Sequence, residues 1–470
     1  MFILSDPRKF LPWHGVVPLI IWTFVELQSS DMPRIFITTL LFTVLLGSLS
    51  TAVAQWTWTP IAALPMPMAN HTLCGGQVSG EWNVYAFGGI TTGLTNADIH
   101  RSAFRYDLNT DQWSALPDIP DTLGKIASAA SVVGDVAYVI GGYHVLNGAP
   151  FEISSNRVHR LDLLSNTWLA DGAPVPVPID DQVQAVWRDS LIYVIAGWSN
   201  TTNVPNVQIY DPAFDQWAVG TPVPNNNQYK AFGASGVIIG DTIYYFGGAS
   251  TASNFPAQDK LRIGHIDPLD PTIITWLPAI TGGLGARYRS ACIVSGDRPT
   301  WVGGSAVSYN FDAVAYNGSG VVQPTTLMQQ WNGAAMTSVG NTLPHVMDLR
   351  GAGDLGGGTF IIAGGIGMSA TVLDSVWLVS FDDVGIDEPV DRSVQAWPNP
   401  ASDHCTIRLP QVASNGQFTL RDALGRWVKS GPLQGTEFLL DLHDQSPGNY
   451  LLEVLLGTSG APIRLKVMLE

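Results

Sequence analysis

Over 470 residues, 39 Asp and Glu outnumber 23 Lys and Arg, giving a net charge of -16 with no acidic block. That balance favours solubility and excludes nucleic-acid binding, which needs a basic footprint; no helix-turn-helix, zinc-finger spacing or basic arm is present. Charged residues are 13% of the chain where about 25% is usual, and 48 Gly, 31 Pro and 16 Trp suit many short strands joined by tight turns.

From Met32 the chain reads MPRIFITTLLFTVLLGSLSTAVAQ. A single Arg, an apolar stretch from Ile35 to Leu49 and the small residues Ala52-Val53-Ala54 stand in the order of a signal peptide over 32–54. The apolar run is short for a membrane span of about 20 residues, so no transmembrane segment is expected after cleavage. Residues 1–31 carry a second apolar patch, Val16 to Val25, and are expected to be an annotation extension ahead of the true start at Met32.

An internal repeat follows. VYAFGG, AYVIGG, IYVIAG, IYYFGG, TWVGG and FIIAGG end at Gly89, Gly142, Gly197, Gly248, Gly304 and Gly365, close to the period of about 50 residues of a propeller blade. Before each small pair lies a strand ending in a Gly-Asp or similar turn, as in SAASVVGDVAYVIGG; after it come a variable loop and a strand with a turn signal, as in FRYDLNTDQW. Glycine at the strand end admits φ > 0 and close backbone approach. The later Trp113, Trp168, Trp217, Trp276 and Trp331 would fill the wedge between neighbouring blades. Radial four-stranded units dispose of their sheet edges by closing a ring. WTWTPIAALP at 56–65 matches the outer-strand pattern TDQWSALPDIP, so residues 56 to 64 are expected to complete the last blade, and 55–382 to form one all-β, six-bladed propeller.

These residues resemble the kelch repeat: a diglycine after an apolar strand, then Tyr106/Trp113, Leu161/Trp168 or Tyr210/Trp217. The match weakens in units five and six, and unit three has Ala196 for its first glycine. After an acidic, polar linker at 383–393, residues 394–470 alternate in period two, as in CTIRLP and NYLLEVLL, which predicts a small Ig-like antiparallel β-sandwich. AWPNPASDHCTIRLP, LRDALGRWV, SPGNYLLEV and RLKVMLE resemble the type A sorting domain of the type IX secretion system, with Trp397 where that family often has Tyr or Phe. The resemblance implies recognition by secretion machinery, and release from or attachment to the outer surface of a Gram-negative, Bacteroidota-type bacterium.

Propeller ligand sites gather at the channel mouth. Counting 14 to 17 positions back from each small pair gives His71, Lys125, Asp180, Lys230, Arg287 and Arg350, with Asp181, Gln182 and Arg289 as neighbours. Five of those six are basic or His, which predicts a mouth that prefers an anion or polar sugar; the alternative is that these charges are solvated or partnered by acids such as Asp180 and Asp348. No GxSxG, P-loop, HExxH or GxGxxG motif is present. Cys74, Cys292 and Cys405 show no metal-ligand spacing and no disulfide framework, so neither a metal nor a cofactor is expected. Secreted kelch proteins include a copper-radical oxidase built on a Tyr-Cys crosslink and two histidines, and a sialic-acid mutarotase. The residues alone do not assemble the first from Cys74, Cys292, His71, His144, His265 and His345. The expected function is a non-catalytic binding module for glycan or protein. The alternative is an enzyme on acidic sugars, with Arg287, Arg289 and Arg350 holding the anion and Asp181 or Glu152 moving protons.

Overall fold

The computed structural model describes residues 55–382, 395–423, 425–455 and 463–470. The leader readings for 1–31 and 32–54 and the linker at 383–393 lie outside the described residues. Among the described residues no helix is long and apolar enough to cross a membrane.

Six antiparallel sheets repeat one plan. Blade I is Thr72–Val78, Glu81–Phe87, Ala103–Asp107 and Gln112–Leu116, paired in chain order. Blades II to V follow over 126–168, 183–220, 232–276 and 291–341. Blade VI takes Gly353–Asp354, Thr359–Ala363 and Val376–Asp382 from the end of the propeller, and its outer strand is Gln55–Ile61. That strand runs from Gln55 opposite Asp382 to Ile61 opposite Val376, so the two ends of the ring share one sheet.

Each blade is too thin to bury its own faces, and the apolar core therefore lies between blades. Tyr138, Ile140 and Val158 of blade II meet Ile192, Val194 and Tyr210 of blade III. Equivalent clusters join I to II, III to IV, IV to V, V to VI and VI to I. The small pairs explain how closely the blades approach. A Cβ on Gly247 (φ 76°) would stand 2.2 Å from the carbonyl oxygen of Arg287 in the next blade. Blade III holds Ala196 in the same left-handed conformation at φ 49°, at some steric cost for a residue with a side chain.

In blades I to IV a tryptophan clamps the blade to the one before it. The indole N–H of Trp113 donates to the Ala62 carbonyl at 2.9 Å, that of Trp217 to Ala173 at 2.8 Å, and that of Trp276 to Thr221 at 3.1 Å. Two residues before the indole, Asp111 and Asp215 accept the N–H of those same residues, Ala62 and Ala173, at 2.8 and 2.6 Å. In blade II the corresponding pair is Asn166 and Trp168, and the clamped residue is Pro117. Proline has no N–H to give, and the Asn166 side-chain oxygen is accordingly left without a partner.

The C-terminal unit is a five-stranded antiparallel sheet: Gln395–Trp397, His404–Asp422, Gly448–Leu455 and Ile463–Leu469 in order, with Trp427–Asp441 also paired to His404–Asp422. Register shifts occur after Arg408 and Ala413 of the long strand; both halves pair with Trp427–Asp441, while on the opposite edge the first half pairs with Gln395–Trp397 and the second with Gly448–Leu455. Cys405, Ile407, Leu420, Leu440, Leu452 and Val467 fill its own core, and the alternation of buried and more exposed positions from Cys405 to Leu409 is the period-two pattern of a one-sided sheet.

Candidate functional site

A belt of backbone hydrogen bonds closes around the propeller axis just ahead of the innermost strands. Asn70 N–H donates to the Asp348 carbonyl (3.1 Å), Ala127 to Asn70 (3.3 Å), Asp181 to Ala127 (3.0 Å), Gly233 to Asp181 (2.9 Å) and Arg289 to Gly233 (2.8 Å). Leu349 N–H returns to the Arg289 carbonyl at 2.9 Å, one residue late, and completes the circuit. The repeating positions Asn70, Ala127, Asp181, Gly233, Arg289 and Asp348 all have left-handed φ, from 47° to 66°. Five of them are not glycine, a concentration of backbone strain of the kind found at sites held rigid by their surroundings.

Side chains from three blades tie this belt across the axis. The Arg289 guanidinium forks onto Asp181, with Nε to Oδ1 at 3.1 Å and Nη2 to Oδ2 at 2.7 Å, and its third nitrogen reaches Asp348 at 3.0 Å. Its carbon lies 5.2 and 5.6 Å from the ring centres of Tyr288 and Tyr309. Arg350 stands 3.5 Å from Asp181 and donates to the Gln182 carbonyl at 2.8 Å. Arg289, Asp181 and Asp348 are each no more than 2% exposed. Burial alone would lower the Arg289 pKa, but the surrounding carboxylates and tyrosines hold it well above its ordinary value. Asp348 is pushed up by burial, an effect Arg289 offsets in part.

On the loop face of this network lies a cavity of about 120 Å³, lined by Tyr143, Glu152, Asp180, Asp181, Trp198, Phe232, Phe255, Arg289 and Tyr316. Local pairing positions its walls. The residue before each belt position bridges the residue after each small pair, which sets Asp180 opposite Trp198 and Ile126 opposite Tyr143. Tyr316 arrives on the long loop between the second and third strands of blade V, whose Ser308 hydroxyl donates to the Phe255 carbonyl. Ser154 donates to one oxygen of Asp180 at 2.5 Å. Burial, followed by the neighbouring charge of Asp181, raises the Asp180 pKa well above the usual carboxylate range. Glu152 is also raised, chiefly by burial.

On the other side of the belt the channel widens to about 310 Å³, lined by innermost-strand residues including Cys74, Ser131, Gln184 and Cys292, together with Arg350. Cys74 and Cys292 are both free thiols, and burial pushes Cys74 up to about 12. Among the described residues no group of three or more His, Cys, Asp or Glu side chains is placed to hold a metal ion.

The sequence-predicted residues therefore divide. Asp180, Asp181 and Arg289 line the loop-face cavity, while Gln182 and Arg350 face the channel beyond the belt. His71 packs against Gly89 and Gly364, and burial, then His100, pulls its pKa down to about 3. Lys125 lies 3.3 Å from Asp121, in a buried cluster where His159 bridges Asp121 and Asp171 at 3.1 and 2.9 Å. Burial lowers the Lys125 pKa to about 8. The Arg287 guanidinium donates to the carbonyls of Ala286 and Leu327, burial lowers its pKa to about 10, and it is not part of the cavity lining. Lys230 is half-buried and makes no ion pair among the described residues. The basic side chains do not converge. Sequence reasoning missed Tyr143, Trp198, Phe255 and Tyr316; the first two immediately follow a small pair, a signal it did not use.

Residues 70–304 match the KLHDC2/KLHL20/DRC7 Kelch-repeats domain, and residues 395–465 match the secretion system C-terminal sorting domain. Kelch domain-containing protein 3 of Bos taurus is 26% identical over 44% of this chain and 54% of its own length. Kelch-like protein terF of Aspergillus terreus is 31% identical over 29% of this chain and 30% of its own. The chain thus spans about half or less of these curated relatives. The solved structure of YjhT aligns over 69% of this chain and 98% of that one, at a TM-score of 0.55 and 15% identity, a likeness of fold alone. With half of its length matched by the repeat domain, the chain belongs to the kelch-repeat family, and it carries a C-terminal secretion-sorting domain.

Proposed function

We propose that the protein is an exported binding propeller, secreted or held at the outer surface of a Gram-negative cell, which captures a group on a glycan or protein in its loop-face cavity. The observation that carries this reading is the combination of a concave, aromatic-walled space with a buried ion network in which all three Arg289 side-chain nitrogens already have carboxylate partners. Arg289 spends its guanidinium on Asp181 and Asp348, so these groups act as a rigid floor. The sorting domain at 395–465 supports export.

The same saturation counts against an acidic-sugar enzyme that uses Arg289 as its anion clamp. One observation still favours catalysis: Glu152 and Asp180, both shifted toward the protonated form, face one cavity, and such carboxyls serve as general acids. The test is binding of the full chain to glycan and peptide arrays beside Trp198→Ala and Tyr316→Ala, with each captured compound followed by NMR for turnover. Binding that both variants weaken at least about tenfold, without turnover, is the expected result. Turnover would favour the enzyme, and unchanged binding in both variants would remove the cavity from the account.

A further inference from the structure

The charges around the loop-face cavity do not balance. Glu152, Asp180, Asp181 and Arg289 face it, and Arg289 is shared between Asp181 and Asp348. Glu152 and Asp180 are left without a cation of their own. Asp180 is only 3% exposed; Ser154 serves one of its oxygens, and among the described residues no donor reaches the other, nor the Glu152 carboxyl.

The remaining wall is aromatic. Trp198, Phe232, Phe255 and Tyr316 meet edge to face, with ring centres 5.1 to 6.2 Å apart, and Tyr143 completes the lining. Aromatic faces carry negative potential and attract cations, quaternary ammonium groups above all. Size points the same way. The cavity is about 120 Å³, somewhat below the roughly 150 Å³ that holds a benzene molecule. A hexose, with twice as many heavy atoms as benzene, would not be enclosed, and an anion would meet two carboxyls that have no direct ion pair among the described residues.

We infer that the cavity is an ammonium-binding site, which takes the alkylated or protonated amine end of a ligand such as a lysine side chain on a partner protein. This rests on the reading that the loop-face cavity is where the propeller binds. It also fixes a pH dependence. Arg289 is held charged, Tyr143 and Tyr316 are held neutral chiefly by burial, and Asp181 is tied to Arg289. Glu152, raised by burial, takes up its proton as the pH falls through its elevated pKa, and cation affinity falls with it, whereas Asp180, raised well above the usual carboxylate range, keeps its proton to higher pH.

The probe is tetramethylammonium, titrated calorimetrically into the full chain beside glucose and acetate, at neutral pH and at pH about 4, near the ordinary carboxylate pKa. Expected are saturable binding of the cation alone, weakening on acidification, and a loss of roughly tenfold or more in Glu152→Gln. Glu152 is half-buried on a loop-side strand, so this variant should fold, and its thermal midpoint is checked. Phe255→Leu, which removes one aromatic face, supplies a second reading of the same loss. No cation binding at millimolar concentration, or equal binding by both variants, overturns the inference. If array ligands then still depend on Trp198 and Tyr316, only the ammonium assignment falls; if they do not, the cavity reading falls with it.

Discussion

Replacing Arg289 with Met is expected to destabilise the propeller by about 3–5 kcal/mol, a fall of roughly 10 °C in Tm. The reason is the environment. Arg289 is 1% exposed and compensates Asp181 and Asp348, which lie on blades III and VI and are equally buried. Removing the cation leaves two carboxylates without their main partner in a low-dielectric interior, and the cost of that exceeds the worth of the lost contacts themselves. Asp348 already has one oxygen with no partner. Arg289→Lys should rescue little, since one ammonium cannot reproduce a fork to Asp181 and a third bond to Asp348. The triple change Arg289→Met, Asp181→Asn, Asp348→Asn should recover part of the loss because it removes the stranded charges together. Denaturant titrations check this series; a loss under about 1 kcal/mol for Arg289→Met would mean that the network does not tie the blades together.

Trp56→Ala is expected to cost about 3–5 kcal/mol, the range for a buried aromatic truncated to Ala. Trp56 sits on the strand that fastens the ring. Its ring lies 4.8 Å from Phe381 on the paired strand and 5.8 Å from Phe360, and it belongs to the core shared by blades V and VI. Loosening it should free Gln55–Ile61 from Val376–Asp382 before the other blades open. Hydrogen exchange reads this directly. Amides of 376–382 should lose protection while those of 207–211 in blade III keep theirs, and uniform loss across all blades would show that the strand is no special fastening.

Why the architecture was legible and the site was not comes down to register. The small pairs at Gly88-Gly89 through Gly364-Gly365 announce themselves because close contact between blades demands them, as the Gly247 approach to Arg287 shows. The belt residue, by contrast, lies at no fixed distance from its pair. In blade I it is residue 70 against Gly88, in blade II residue 127 against Gly141, and in blade VI residue 348 against Gly364. Hairpin and loop lengths differ between blades, so an offset counted along the chain lands on Lys125 or Lys230 in one blade and on Asp180 in another. Their side chains then point to different places. Pairing was equally hidden: the sequence contains Arg289, Asp181 and Asp348, but only the closed ring brings positions 108 and 59 residues apart within hydrogen-bonding distance. Tyr316 depends on the path of one long loop, which carries no periodic signal.

Recognition in the loop-face cavity is the central proposal. A crystal structure of the full chain with a ligand from the arrays tests it most directly. The prediction is ligand density among Trp198, Phe255 and Tyr316, with a polar atom within hydrogen-bonding reach of Glu152 or Asp180. Density confined to the channel beside Cys74 and Arg350, or to the outer strands, would contradict it.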